Sequence, residues 1–339
     1  METSAFDYEL PEERIAQHPL VERDSARLLV DRGPGAPPDH RVVRDLPELL
    51  EPGDLLVLNT TRVLPARLKL RRATGGGAEV LLLERVDGVV WEALVRPSRK
   101  LPAGTRLRPP GGGDDLVVVM GDDLGEGRRH VELLVVGDEL DVLERHGEMP
   151  LPPYISAALD DPERYQTVYA ARPASAAAPT AGLHLTAAVL DGLTARGIGL
   201  ARVELVVGLD TFRPVTVDDP ALHRMHTESY RVDPEVLARC KATKEAGHRV
   251  VAIGTTTVRA LESAAVRGPL GRTDLFIRRP YPFKVVDVLL TNFHLPRTTL
   301  LVMIDAFVGP RWRSLYDTAK AEGYRFLSFG DAMLLTRDA

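Results

Sequence analysis

One cysteine, Cys240, stands in a chain of 339 residues. A lone thiol closes no internal disulfide and builds no cysteine-rich metal site, so the sequence points to a reducing compartment and implies no metal. Long apolar runs are missing as well. The most apolar stretch, residues 298–308, is about half of the ~20 residues that cross a bilayer, and Asp305 interrupts it. No membrane partner is expected. The opening segment METSAFDYELPEERIAQHPL carries acidic residues and no apolar core of a secretory signal, which makes the cytoplasm the expected location. Positive charge is not in excess either: 43 Lys and Arg against 48 Asp and Glu leave a formal charge of −5. That balance gives no global electrostatic footprint for nucleic acid and leaves only a local basic patch open.

What is present is globular: 44% apolar and 27% charged residues. At roughly 150 residues per domain the length suggests two domains. Clusters of Gly and Pro punctuate only the first half, at residues 33–38, 75–77, 109–113 and 121–127. Between them the apolar period is that of strands. Residues 79–85 and 89–96 flank Asp87-Gly88, a dipeptide suited to a tight hairpin, and residues 116–120 and 130–136 repeat the pattern. Residues 66–150 thus read as short antiparallel strands, a small barrel or a sandwich.

From Leu183 helical patterns alternate with short apolar runs, the signature of an α/β layer structure. Thr186 is placed to cap a helix ending at Gly197, before a strand over 198–207. Asp233-Pro234 opens a second helix, closing at Gly247 before the buried-strand run 250–253. Phe276-Ile277 and residues 285–290 are further strand candidates, 298–308 and 312–322 helices, and 324–335 extended. The run Leu55–Asn59 is a central-strand pattern that precedes the strand-rich region, and it can pair with the later sheet. The expected architecture is therefore a layered α/β domain built from both ends of the chain, residues 1–65 and 151–339, with residues 66–150 inserted as a small antiparallel β-domain.

Four polar constellations can carry chemistry. In APTAGLHLT, residues 178–186, small residues let a ligand approach the backbone, and Thr180 and His184 lie just before a helix start that offers free amides to an anion. Gly254-Thr255-Thr256-Thr257-Val258-Arg259 follows a strand and enters a helix; its hydroxyls and first-turn amides suit a carboxylate, ribose or phosphate, without the Lys of a P-loop. His223, His226 and Glu228 cluster in ALHRMHTESY, but their spacing fits no standard zinc pattern, so acid/base work or sugar binding is the stronger reading. Asn292 and His294, in TNFHLPR, close a strand with polar groups. At each place an ordinary capped loop is the competing reading. The basic clusters RLKLRR, residues 67–72, and Arg278-Arg279 read as solvated strand faces unless they meet phosphates.

Taken in order, these segments resemble the S-adenosylmethionine:tRNA ribosyltransferase-isomerase family, the epoxyqueuosine-forming enzymes of queuosine biosynthesis. The resemblance runs nearly end to end. It is carried by FDYELPEERIAQHP, Arg23-Asp24 with Arg27-Leu28-Leu29-Val30, GDLLVLNTTRVLPARL, WEALVRPSRKL, MPLPPYI, ERYQTVYA, APTAGLHLT, VGLDTFRPV, HRMHTESY, GTTTVRALES, TNFHLPRTTLL and FLSFGDAMLL.

The resemblance implies an α/β domain carrying an inserted β-barrel. It also implies transfer and isomerisation of the ribosyl part of S-adenosylmethionine onto 7-aminomethyl-7-deazaguanine at the tRNA wobble position, releasing adenine and methionine. S-adenosylmethionine is then a co-substrate, tRNA the partner, and no prosthetic group or metal is expected. For that chemistry His184, His226 and Glu228 are the acid/base candidates. Thr180, Arg213, Thr255, Thr256, Thr257, Arg259, Asn292 and His294 are the candidates for substrate binding, with Arg213 or the Thr255–Thr257 turn facing the methionyl carboxylate. Departures from the family pattern fall at Thr60, where NDTR is usual, and at Val206 and Asp210, where HVGLGTF is usual; the loop after Ile155 lacks a common basic residue. They motivate two other expectations: a relative that keeps the S-adenosylmethionine pocket but uses a small-molecule acceptor, and an RNA-binding protein without chemistry.

Overall fold

The computed structural model describes residues 2–112, 114–208 and 214–337. Two compact units emerge, one of Met1–Thr61, Pro153–Ala171 and Pro179–Ala339, the other of Arg62–Pro152 and Arg172–Ala178. In chain order the first unit begins with β1 (Arg27–Val30), β2 (Asp39–Val42), α1 (Leu46–Leu49) and β3 (Leu55–Asn59). After β4 (Thr61–Val63) come β5 (Arg67–Arg72), β6 (Gly77–Asp87), β7 (Val90–Arg96), β8 (Arg106–Arg108), β9 (Leu116–Gly125), β10 (Arg128–Val135), α2 (Glu139–His146), β11 (Gly147–Glu148) and β12 (Arg172–Ser175). The first unit resumes with α3 (Ala187–Ala195), β13 (Gly199–Leu205), β14 (Glu228–Arg231), α4 (Pro234–Glu245), β15 (Val250–Ile253) and α5 (Thr255–Arg267). It ends with β16 (Leu270–Thr273), β17 (Val288–Asn292), α6 (Thr299–Val308), α7 (Trp312–Ala321) and β18 (Ala332–Thr336).

The second unit is a barrel. Its strands pair in the order β5-β6-β7-β10-β9-β8, and β8 returns to β5 through Arg71↔Arg108, so six antiparallel strands close on themselves. Closure removes the unpaired edges that a flat sheet would expose. Along β5 the period is two: Leu68 and Leu70 are buried, while Lys69 and Arg71 face outward. Asp87 pairs with Val90 across the β6–β7 turn, where Gly88 takes φ 47°. That positive φ is what the Asp-Gly dipeptide allows.

The first unit is built on a nine-stranded mixed sheet, ordered β16-β14-β13-β3-β15-β17-β18-β1-β2. β13, β3, β15 and β17 run parallel, and every residue of β3, β15 and β17 is buried. Strands covered on both faces need such continuous apolar runs. Leu56, Leu58, Val251, Ile253 and Leu290 share one core cluster with Leu46 of α1 and Val189 and Leu193 of α3. The opposite side of the sheet carries α4 and α5. Helix starts are set by side-chain caps: Thr186 accepts from Val189 N, Asp233 from Glu235 N, and Thr298 from Leu301 N.

One strand expectation fails and two are met only in part, 285–290 at residues 288–290 and 324–335 at its end. Phe276-Ile277 lies outside any strand, although Ile277 is fully buried. Residues 285–287 are also irregular, because the buried Glu262 carboxylate accepts the backbone N–H groups of Lys284, Val285 and Val286 at 2.9–3.1 Å. Amides held by a side chain are lost to a strand ladder. Only the end of 324–335 is strand, since Asp331 accepts from the N–H of Arg325 and of Arg27 and holds a tight bend before β18.

Candidate active site

Open α/β sheets collect ligands where their parallel strands end. Here the carboxyl ends of β13, β3, β15 and β17 lie side by side, and β14, antiparallel to β13, brings Glu228 at its start to the same edge. β3, β15 and β17 stop in polar motifs, whereas β13 runs on into the buried Val206-Val207.

At the end of β3, Asn59 is fully buried and donates from Nδ2 to the Leu205 carbonyl at 3.0 Å and to Thr256 Oγ1 at 3.4 Å. Its Oδ1 accepts from Leu205 N and from the N–H and hydroxyl of Thr61. One amide thus ties three motifs distant in sequence. Thr257 spends its hydroxyl on the Ile253 carbonyl at 2.6 Å, whereas Thr255, also buried, has no side-chain partner among the described residues. The turn before them depends on Gly254, with φ 87° and ψ 153°. Few residues other than glycine occupy that region. A Cβ there would sit 3.5 Å from that of Ala181, so the Thr255 turn and the 178–186 loop are adjacent.

Glu228 and Arg259 form a buried ion pair, and Glu228 Oε1 accepts from Gly208 N at 3.0 Å. Arg259 also donates to the Leu275 carbonyl at 3.1 Å. Burial lowers its pKa to about 10, which leaves the guanidinium charged at neutral pH. His226 is half-buried close to His223, whose pKa is lowered by burial and then by the charge of His226. Among the described residues no group of three or more His, Cys, Asp or Glu is placed to hold a metal ion.

His184 is 4% exposed, and its Nε2 meets Asn292 Nδ2 at 2.9 Å. The same Nδ2 donates to the Leu327 carbonyl at 3.0 Å, which fixes the amide orientation. Nε2 is therefore the acceptor and Nδ1 carries the proton. Burial first, then the charges of Arg325 and Arg23, lower the His184 pKa to about 4, so the ring is neutral at pH 7. His184 lines a cavity with Arg23, Arg164, Arg325 and Ser328, none of which stood out as a site residue in the sequence. The three arginines do fall inside or beside quoted motifs, in Arg23-Asp24, ERYQTVYA and next to FLSFGDAMLL.

The remaining candidates are placed differently. Thr180 opens the short helix that leads to His184 and is half-buried, with no partner for its hydroxyl among the described residues. His294 bonds through Nε2 to Thr291 Oγ1 at 3.0 Å, and its backbone N–H donates to Tyr316, away from the His184–Asn292 contact. Burial lowers its pKa to about 3. Arg213 and Asp210 lie outside the described residues. Val206, buried, extends the β13 pairing by donating to the Ser229 carbonyl, and Thr60 donates its hydroxyl to the Val203 carbonyl. Both departures are absorbed into sheet edges.

Comparison with known proteins decides the family. The family model described as "Queuosine biosynthesis protein" matches residues 3–335. The chain belongs to that family. It is 51% identical over 345 residues to the S-adenosylmethionine:tRNA ribosyltransferase-isomerase of Symbiobacterium thermophilum, covering 99% of this chain and 100% of the relative. To the proteins of the same name from Moorella thermoacetica and Thermotoga maritima it is 50% and 47% identical over 342 residues, again covering 99% of this chain and 100% of each relative. The crystal structure of S-adenosylmethionine tRNA ribosyltransferase from Thermotoga maritima superposes with TM-score 0.56 at 38% identity, covering 97% of this chain and 99% of that one.

Proposed function

We propose that this chain is an S-adenosylmethionine:tRNA ribosyltransferase-isomerase. It moves the ribosyl moiety of S-adenosylmethionine onto 7-aminomethyl-7-deazaguanine at the tRNA wobble position and rebuilds it as the epoxycyclopentanediol of epoxyqueuosine, with loss of adenine and methionine. The observation that carries this reading is the full-length match to relatives of that name. The comparisons do not favour a small-molecule acceptor. S-adenosylmethionine serves as co-substrate, no prosthetic group takes part, and the working place is the cytoplasm.

The reaction makes physical demands that these residues can meet. The sulfonium acidifies the neighbouring C5′ hydrogens, a base removes one of them, and adenine departs with a proton or hydrogen bond. His184, neutral and with its Nε2 committed to Asn292, is a hydrogen-bond donor through Nδ1–H and not the base. Glu228 receives two donors, Arg259 and Gly208 N, and so positions the start of β14. His226 beside it is assigned the proton transfer. Thr180, Thr255 and Thr256 offer hydroxyls at the same edge to the ribose. The deciding experiment measures adenine release with S-adenosylmethionine, with and without tRNA carrying the deazaguanine precursor. Release in step with tRNA modification supports the reading. Release without tRNA overturns it in favour of a small acceptor, and tRNA retention without release leaves only binding.

A further inference from the structure

Arg23, Arg164, Arg325, His184 and Ser328 meet at a cavity of about 20 Å³. Roughly 10–15 Å³ of such space holds one water, so the cavity has room for a small polar head and none for a purine. Among the described residues no carboxylate pairs directly with its three cations, although Asp161 and Glu163 act on Arg23, and Asp331 on Arg325, from farther off. Arg23 donates to the carbonyls of Gln166 at 2.6 Å and Glu163 at 2.7 Å; Arg164 donates to Val21 at 3.2 Å and to Leu20; Arg325 donates to His18 at 3.3 Å and to Phe329. Carbonyl acceptors hold each guanidinium plane in place without neutralising it. Among the described residues none of the three forms an ion pair, and Arg325 Nε is buried with no acceptor.

The charges also act on one another, because Arg164 lowers the pKa of Arg23, and both Arg23 and Arg325 lower that of His184. Asp331, the carboxylate that acts on Arg325, already accepts the N–H groups of Arg27 and Arg325. His184 adds a neutral N–H at Nδ1, and Ser328 shares a 2.7 Å hydrogen bond with Tyr154. Fixed guanidinium forks around a small space are matched to an oxyanion.

We propose that this cavity is an oxyanion pocket that takes the α-carboxylate of S-adenosylmethionine. The volume suits a terminal group. Since His184 is held by Asn292 at the end of β17, a carboxylate in the pocket places the rest of the nucleoside along the polar strand ends. The assignment rests on the functional reading above and supplies the carboxylate partner sought at Arg213 or the Thr255–Thr257 turn.

Calorimetric titration with S-adenosylmethionine and with its decarboxylated analogue tests it. The analogue keeps the sulfonium and nucleoside and lacks only the carboxylate. The wild-type chain should prefer the carboxylated ligand by about tenfold or more, the range of charge-assisted hydrogen bonds. Arg164→Gln and Arg325→Gln should each cut that preference to less than about threefold and leave the analogue's affinity unchanged. Because either variant can lose stability, sulfate competition on the wild-type chain gives a second readout: millimolar sulfate should weaken S-adenosylmethionine and spare the analogue. Equal affinity of the two ligands for the wild-type chain overturns the proposal while leaving the functional reading intact. Intact preference in both variants, with a shallower salt dependence of tRNA binding, assigns the pocket to a backbone phosphate and overturns it too. Binding of neither nucleoside removes the functional reading and this proposal together.

Discussion

Burial makes two histidines of this site poor proton carriers, and that has measurable consequences. Burial is the largest cause of the low pKa values of His184 and His294, about 4 and about 3 against the usual 6.5. Below pH 6.5 the unfolded chain gains protons that the folded chain refuses, so stability falls as pH drops from about 6.5 toward 4, by on the order of a few kcal/mol. Thermal melting should show a lower Tm at pH 4.5 than at pH 7.5, and His294→Gln should shrink that difference. His184→Ala removes a hydrogen-bond donor and should weaken S-adenosylmethionine binding by about tenfold or more while the chain still melts cooperatively, and a loss under about threefold removes His184 from the site. At Glu228 the physics is ionic. Glu228→Gln leaves Arg259 buried without its counter-charge and should destabilise by about 3 kcal/mol in urea unfolding, while Glu228→Gln combined with Arg259→Met should recover part of that loss.

At the scale of elements, the turn from β15 into α5 is the most constrained joint of the site. A Cβ on Gly254 meets only ordinary contacts, 3.5 Å to Ala181 and 3.7 Å to Thr256, so Gly254→Ala is penalised by backbone strain and not by space. The expected cost is about 1–3 kcal/mol in stability, with a raised KM for S-adenosylmethionine as the Thr255 and Thr256 hydroxyls shift; unchanged kinetics would separate this turn from the substrate. Elements whose signals are local were legible in sequence: the caps at Thr186 and Asp233, the Asp87-Gly88 hairpin, and the uninterrupted apolar runs of β3 and β15. What was not legible depends on side chains that reach across the fold. Glu262 consumes the amides of residues 284–286, and no apolar period announces that. His184 and Asn292 were each singled out, yet their 2.9 Å contact joins positions 108 apart. The arginine pocket escaped notice because Arg23, Arg164 and Arg325 sit in three separate segments with no shared spacing.

For the whole molecule, the net charge of −5 confines any tRNA contact to local patches. Binding to precursor tRNA should therefore weaken as salt rises, with log Kd against log salt climbing by about 0.7 to 0.9 for each phosphate engaged; a flat dependence in filter binding would contradict a tRNA partner. Sheet order carries another consequence. β18 lies between β17 and β1, so among the described residues β1 and β2 join the rest of the sheet through residues 332–336. During synthesis β1 and β2 must wait for β18, far downstream in the chain, to leave the ribosome before they can dock on the sheet. A chain without β18 would leave β17 and β1 with bare strand edges.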